Sequence, residues 1–263
     1  MKAKTNGIET NYEIHGSEGT PWLTFSHSLA CSLRMWDPQI AEFKDRFRIL
    51  VYDTRGHGGT EAPKGPYTLD MLAEDLRQLL SELNIKRTHY VGLSMGGMIG
   101  QVVALTDPGV FDRVVLADTG HAQTPETRKQ WDERIRTAET KGMEPLVQPT
   151  IERWFTKDFR DTPTAKRIAE LIRSTPVPGY VGCCHAISNL NTTARLKEIK
   201  RPVLAIAGEQ DAAAPGTRYI GENVPGAKLV MIPQAAHIAN LEQPEAFNRA
   251  LREFLSSPAS GRA

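Results

Sequence analysis

Short apolar runs recur along the first half of the chain, each closed by a polar or glycine-rich break. Glu9 to Ile14 alternates apolar and polar positions, whereas Trp22–Ser26, Phe47–Asp53, Thr88–Val91 and Val114–Asp118 are nearly continuous β-branched or aromatic stretches. Each of these runs predicts a β-strand. Between the third and fourth runs, Leu69, Leu72, Leu76, Leu79, Leu80 and Leu83 return at helical spacing, with Asp70 placed to cap the helix start. Alternating strands and helices imply parallel pairing through helical crossovers. The result is a sheet covered on both faces, with ligands bound beyond the C-terminal ends of its strands.

From Ala122 to Ile187 the pattern changes to charge-rich helical segments punctuated by Trp131, Trp154, Phe155, Phe159 and Tyr180. This predicts a helical cap, 122–187, inserted into an α/β core formed by 1–121 and 188–263. The core pattern resumes with Pro202–Gly208 and Lys228–Ile232 as buried strands and Pro244–Leu255 as an amphipathic closing helix. The small polar residues Ser256–Ala263 are expected to fray.

A chain of 263 residues with net charge +1 and no basic run gives no nucleic-acid surface. No stretch approaches the length of a membrane span. Three cysteines, two of them adjacent (Cys183 and Cys184), argue against a disulfide framework and fit a reducing cytoplasm. No metal-ligand spacing, P-loop or dinucleotide fingerprint occurs, so no metal or other cofactor is indicated.

The chemistry concentrates in Gly92-Leu93-Ser94-Met95-Gly96, a G-x-S-x-G turn between an apolar strand and a helix-compatible segment. Such a turn strains the serine backbone, requires glycine two residues to either side, and presents the hydroxyl above the sheet at a helix N-terminus. A serine nucleophile needs a histidine base oriented by a carboxylate. His237 follows the strand 228–232 and serves as the base. Asp211, 26 positions earlier, follows the strand 203–207 and is favoured as the acid, with Glu209 and Asp118 competing for the role. The backbone N–H groups of Leu29 and Met95 are the expected oxyanion donors. His27 is read as a brace for the Leu29 loop, Asp53 and Arg55 as internal hydrogen-bonding groups, and Cys31 as packing.

With these residues placed, the chain resembles an α/β-hydrolase, and within that superfamily the 3-oxoadipate enol-lactonases. The stretches that carry the likeness are His27-Ser28-Leu29, Met35-Trp36-Asp37, Asp53 to Gly58, Gly92 to Gln101, Arg153-Trp154-Phe155-Thr156, Gly179 to Cys184 and Ala235 to Pro244. The resemblance implies Ser94 as nucleophile, Asp211 as acid and His237 as base, and a place in aromatic catabolism. His27, Asp118 and Ala212-Ala213-Ala214-Pro215 depart from its usual residues, so the exact ester or lactone stays open. The expected activity is cofactor-independent serine hydrolysis of a small ester or lactone through an acyl-enzyme.

Trp131 and Trp154 are expected as pocket walls, each flat indole covering a small ring and offering its N–H to a carbonyl or carboxylate, Trp154 equally as a packing residue, and Arg34 or Arg134 as the receiver of a substrate carboxylate. An acyl-homoserine-lactone hydrolase, a promiscuous carboxylesterase, a perhydrolase and a ligand-sensing receptor on the same fold are the alternatives. A dehalogenase or epoxide hydrolase is disfavoured because it would carry a carboxylate at position 94. No sequence feature fixes a monomer or a homo-oligomer.

Overall fold

The computed structural model describes residues 1–256, so the fraying expected beyond Ser256 lies outside the described residues. Eight strands form one sheet: β1 (Lys2–Thr5), β2 (Ile8–His15), β3 (Trp22–Ser26), β4 (Arg48–Tyr52), β5 (Thr88–Leu93), β6 (Phe111–Ala117), β7 (Val203–Gly208) and β8 (Lys228–Ile232). Their spatial order is β1-β2-β4-β3-β5-β6-β7-β8. β2 pairs antiparallel with β1 and β4, and every pair from β4 to β8 is parallel. The expected α/β fold, a mostly parallel sheet with helical crossovers, is the one observed.

β1 escaped the sequence reading. Its residues, Lys-Ala-Lys-Thr, carry no apolar run, and the strand exists because its backbone pairs with β2 at the sheet edge, Lys2 opposite Asn11 and Thr5 opposite Ile8. The central strands follow their sequence more closely, since β5, β6 and β7 are buried almost throughout.

Ten α-helices accompany the sheet among the described residues, besides three short 3₁₀ helices: α1 (Asp37–Phe43), α2 (Leu69–Glu82), α3 (Met95–Thr106), α4 (Pro125–Lys141), α5 (Glu144–Trp154), α6 (Pro163–Ser174), α7 (Val177–Ser188), α8 (Ala214–Asn223), α9 (Ala239–Glu242) and α10 (Pro244–Leu255). The leucine stripe of α2 faces the core as its spacing requires, but the cap is not Asp70. Thr68 is the N-cap residue, its hydroxyl accepting the Met71 N–H at 3.1 Å, and this leaves Asp70 in the first turn, where a carboxylate complements the helix dipole.

Helices α4 to α7 intervene between β6 and β7, spanning Pro125–Ser188 against the stretch 122–187 expected as a cap. The two necks of this insertion are tied together by a bridge between Ala122 and Asn191 and by the hydrogen bond from Thr192 N–H to the His121 carbonyl. Its last helix touches the core backbone to backbone. A Cβ at Gly56, in the turn after β4, would run into the Gly179 backbone of α7, and one at Gly179 would run into Gly56, so both positions require glycine.

Candidate active site

At the end of β5 the chain passes through Ser94 with φ 54° and ψ −112°, then enters α3 at Met95. A non-glycine residue there is strained, and two hydrogen bonds over-determine it. The Ser94 N–H donates to the Ala117 carbonyl at 2.8 Å, and the Thr119 hydroxyl donates to the Ser94 carbonyl at 2.8 Å. The flanking glycines fill the role expected of them: a Cβ at Gly92 would meet the Gly96 carbonyl, and one at Gly96 would meet that of Ser26. Ser94 is thereby pinned at a helix N-terminus while 9 % of its surface stays accessible.

The histidine and the carboxylate arrive from neighbouring strand ends. Asp211 lies in the turn after β7 and His237 in the turn after β8. The His237 Nδ1 donates to Asp211 Oδ1 at 3.0 Å, an arrangement that makes Nε2 the basic ring nitrogen. The same Asp211 oxygen also accepts the Ala213 N–H at 3.0 Å. Ser94, Asp211 and His237 line one cavity of about 370 Å³, a size suited to a small organic ligand.

The His237 loop has a support that the sequence reading missed. Glu242, buried in α9, accepts the Ala236 N–H at 2.8 Å through one oxygen and the Thr156 N–H at 2.9 Å through the other, with the Thr156 hydroxyl also bonded to it. One carboxylate therefore joins the His237 loop to the end of α5, where the Trp154 ring lies 5.7 Å from that of His237. A carboxylate directly after the largely apolar stretch Ala235–Leu241 is the signal that could have pointed to it.

The three candidate carboxylates separate cleanly. Glu209 is exposed and contributes its backbone N–H, not its side chain, to the Ile232 carbonyl. Asp118 is fully buried at the end of β6, where its Oδ1 accepts the Gly208 N–H at 2.8 Å. Burial, and next the charge of Asp211, hold the Asp118 carboxyl well above the usual carboxylate range. Only Asp211 of the three is hydrogen-bonded to His237.

Leu29 lines the cavity and Met95 opens α3; neither backbone N–H has an acceptor among the described residues. Both are therefore available to a ligand oxygen. Histidine 27 braces this loop rather than acting in it. Its Nδ1 donates to the Ser28 carbonyl at 2.7 Å and its Nε2 accepts the Thr54 N–H at 2.8 Å, while burial lowers its pKa and keeps the ring neutral. Next to it His57, driven down to about 3 by burial, accepts the Ala30 N–H at 2.9 Å. Asp53 accepts the N–H groups of Leu33 and Gly59, and Arg55 is paired with buried Asp75. Both are internal, as their sequence context suggested.

Residues 21–244 match the family model of the alpha/beta hydrolase fold. The chain belongs to this family. "3-Oxoadipate enol-lactonase 2" of Acinetobacter baylyi is 37% identical over 94% of this chain and 93% of its own. The crystal structure of the enol-lactonase from Burkholderia xenovorans superposes with a TM-score of 0.93 at 37% identity, covering 98% of this chain and 100% of that one. A putative carbamate hydrolase of Agrobacterium fabrum is 32% identical over 93% of this chain and 97% of its own. The protein is a hydrolase with small-molecule hydrolases as relatives, and its likeness to enol-lactonases runs nearly end to end.

The hydrolase's cavity is walled by both expected tryptophans. Trp154 is buried beside His237 and also accepts the Ile238 N–H on its carbonyl. Trp131 is half-buried, but its indole N–H, expected to be offered to a ligand, is bonded to Gln123 Oε1 at 3.2 Å. The corrected reading is a flat apolar wall. Arg34 also departs from expectation. Its guanidinium is exposed and paired with Glu13 and Asp37, outside the residues that line the cavity. Two other arginines line it, Arg134, stacked 4.7 Å over the Trp131 ring, and Arg153. Neither forms a salt bridge among the described residues. No group of three or more metal-ligating side chains is assembled among them either, and no described helix is long and apolar enough to cross a membrane.

Proposed function

We propose that this hydrolase opens and hydrolyses a small lactone bearing a carboxylate, of the 3-oxoadipate enol-lactone type, with Ser94 as nucleophile. The observation that carries the reading is that one cavity holds Ser94, the His237–Asp211 pair and two guanidiniums, Arg134 and Arg153, that lack a carboxylate partner. His237 Nε2 takes the Ser94 proton as the oxygen attacks the lactone carbonyl, and the N–H groups of Leu29 and Met95 hold the resulting oxyanion. Collapse of the tetrahedral adduct breaks the ring C–O bond, and the proton on His237 passes to the departing oxygen. With an enol lactone that oxygen leaves as an enol, which becomes a ketone and cannot readily re-close the ring. Water, deprotonated by His237, then releases the diacid from Ser94. In this reading the helical stretch 122–187 is a cap that sets substrate choice while the core sets chemistry.

A fluorophosphonate probe followed by peptide mass spectrometry tests the nucleophile: the label is expected on Ser94, and labelling elsewhere, or none, overturns the serine reading. Substrate class is tested with a carboxylated lactone, its methyl ester and p-nitrophenyl acetate. Arg134→Gln or Arg153→Gln should lower kcat/KM for the carboxylated lactone by roughly 10- to 100-fold, the worth of a charge-assisted hydrogen bond, and leave the methyl ester nearly unaffected. Equal losses on both substrates would remove the arginines from carboxylate recognition.

Trp131→Ala is expected to change the ratio of kcat/KM between the lactone and a longer-chain ester by about tenfold. Tm should move by no more than about 4 °C, because the ring is half-buried at the cavity edge. A constant ratio with a large fall in Tm makes Trp131 a packing residue.

A further inference from the structure

Two buried carboxyl groups stand together at the ends of β6 and β7, and their hydrogen bonding does not close as two carboxylates. Asp211 Oδ1 accepts from His237 and Ala213, but its Oδ2 is buried with no partner. Asp118 Oδ1 accepts from Gly208, but its Oδ2 is likewise buried with no partner. The two strands that carry them are neighbours, the Asp118 Oδ1 bond to Gly208 reaches into the turn that holds Asp211, and Asp211 acts on Asp118 through both its charge and a side-chain hydrogen bond. Two ionised carboxylates so placed repel, and each would leave a desolvated oxygen unsatisfied. One proton resolves both defects.

We propose that Asp118 carries that proton and donates it from Oδ2 to Oδ2 of Asp211, acting as a positioning residue that holds Asp211 Oδ1 towards His237. The proposal rests on the triad reading above for its catalytic consequence, not for the location of the proton. The backbone builds the contact deliberately. β6 and β7 run parallel with Ala117 opposite Ile206, the Asp118 N–H donates to the Ile206 carbonyl at 2.7 Å, and φ of +47° at Asp118 ends the strand abruptly. The turn Gly208–Asp211 then folds back through the Asp211 N–H to Gly208 carbonyl bond at 3.1 Å, while the Gly208 N–H holds Asp118 Oδ1 at 2.8 Å, so one residue of the turn is bonded to both aspartates. Asp211 is the titratable group that acts on Asp118. The other neighbours are the backbone amides of Gly208 and Ala239, which favour the ionised form but are outweighed by burial and by the Asp211 charge. Asp118 is therefore a neutral acid between a backbone donor and a charged acceptor.

Infrared difference spectra of the full-length protein locate the proton directly. Wild type minus Asp118→Asn at pH 7 should show the carbonyl stretch of a protonated carboxylic acid, whether or not Ser94 is the nucleophile. Its absence overturns the proposal. In turnover, Asp118→Asn keeps a donor to Asp211 and should lose no more than about fivefold in kcat/KM, whereas Asp118→Leu orphans Asp211 Oδ2 and should lose about 10- to 100-fold, mostly in kcat. Equal activity of the Leu and Asn variants overturns the positioning role.

Stability gives a readout that survives a misfolded Leu variant. A carboxyl whose pKa is raised by folding keeps its proton in the native state while the unfolded chain releases it near 3.8. Its contribution is then fully present below that pH and is lost as pH rises towards the native pKa. Tm of Asp118→Asn minus wild type should accordingly grow between about pH 4 and pH 7. A difference that stays flat over that range means the native carboxyl is ionised.

Discussion

Ser94→Ala is expected to lower kcat for lactone and ester hydrolysis on the order of 10⁶-fold while the protein stays folded. In the proposed mechanism, removing the hydroxyl deletes the attacking atom and leaves only the oxyanion donors and binding contacts to act on water, which would account for a small residual rate. The fold should tolerate the change because what holds position 94 is backbone: its N–H on Ala117, its carbonyl under the Thr119 hydroxyl, and the close approaches at Gly92 and Gly96. Alanine meets the same strain at φ 54° that serine does, so Tm should shift by only a few degrees. Ser94→Gly removes that strain and should melt higher than Ser94→Ala, although its unfolded chain gains freedom that offsets part of the benefit. The measurement is kcat on a p-nitrophenyl ester beside thermal unfolding. Activity within about tenfold of wild type, in a preparation free of contaminating esterase, would end the serine mechanism.

What could be read from the residues followed from burial. Strands β3 to β7 declare themselves because a strand buried on both faces must be apolar at nearly every position, and the elbow declares itself because two close backbone approaches exclude any Cβ at 92 and 96. β1 was invisible for the opposite reason: an edge strand is made by backbone pairing, which leaves no trace in side chains such as Lys2 and Lys4. Arg34 was misplaced because sequence proximity to the Leu29 loop says nothing about Glu13, a residue brought near by the β2–β4 pairing. The Trp131 donor was misassigned through a partner, Gln123, that lies only eight positions away but across the start of α4.

Among the carboxylates, strand-end position admitted Asp118, Glu209 and Asp211 alike. Only the three-dimensional course of the β7 turn separates one exposed, one facing a backbone amide, and one bonded to His237. Glu242 lay in plain view as a charge directly after a largely apolar stretch, yet its two acceptors could be matched to Ala236 and Thr156 only once α5 was seen packed against the His237 loop.

Asp211→Asn is expected to lose on the order of 10⁴-fold in kcat, equivalent to roughly 5.5 kcal/mol of transition-state stabilisation, with little change in KM. Asp211 Oδ1 holds the proton of His237 on Nδ1, and in the proposed mechanism this leaves Nε2 free to receive the Ser94 proton and supplies the charge that stabilises the imidazolium then formed. Asparagine keeps the shape and removes the charge. If its NH₂ turns towards His237, it also selects the opposite tautomer, with the proton on Nε2 and no base facing the serine. Asp118 cannot simply substitute, since it is fully buried and its Oδ1 is held by the Gly208 N–H. Asp118→Asn should thus be milder than Asp211→Asn by about three orders of magnitude or more, roughly the gap between losing the Asp211 charge beside His237 and exchanging one donor to that charge for another. Steady-state kinetics of both single variants on one ester, with circular dichroism to show that each is folded, decide the matter. The reverse order of severity would move the acid from the end of β7 to the end of β6.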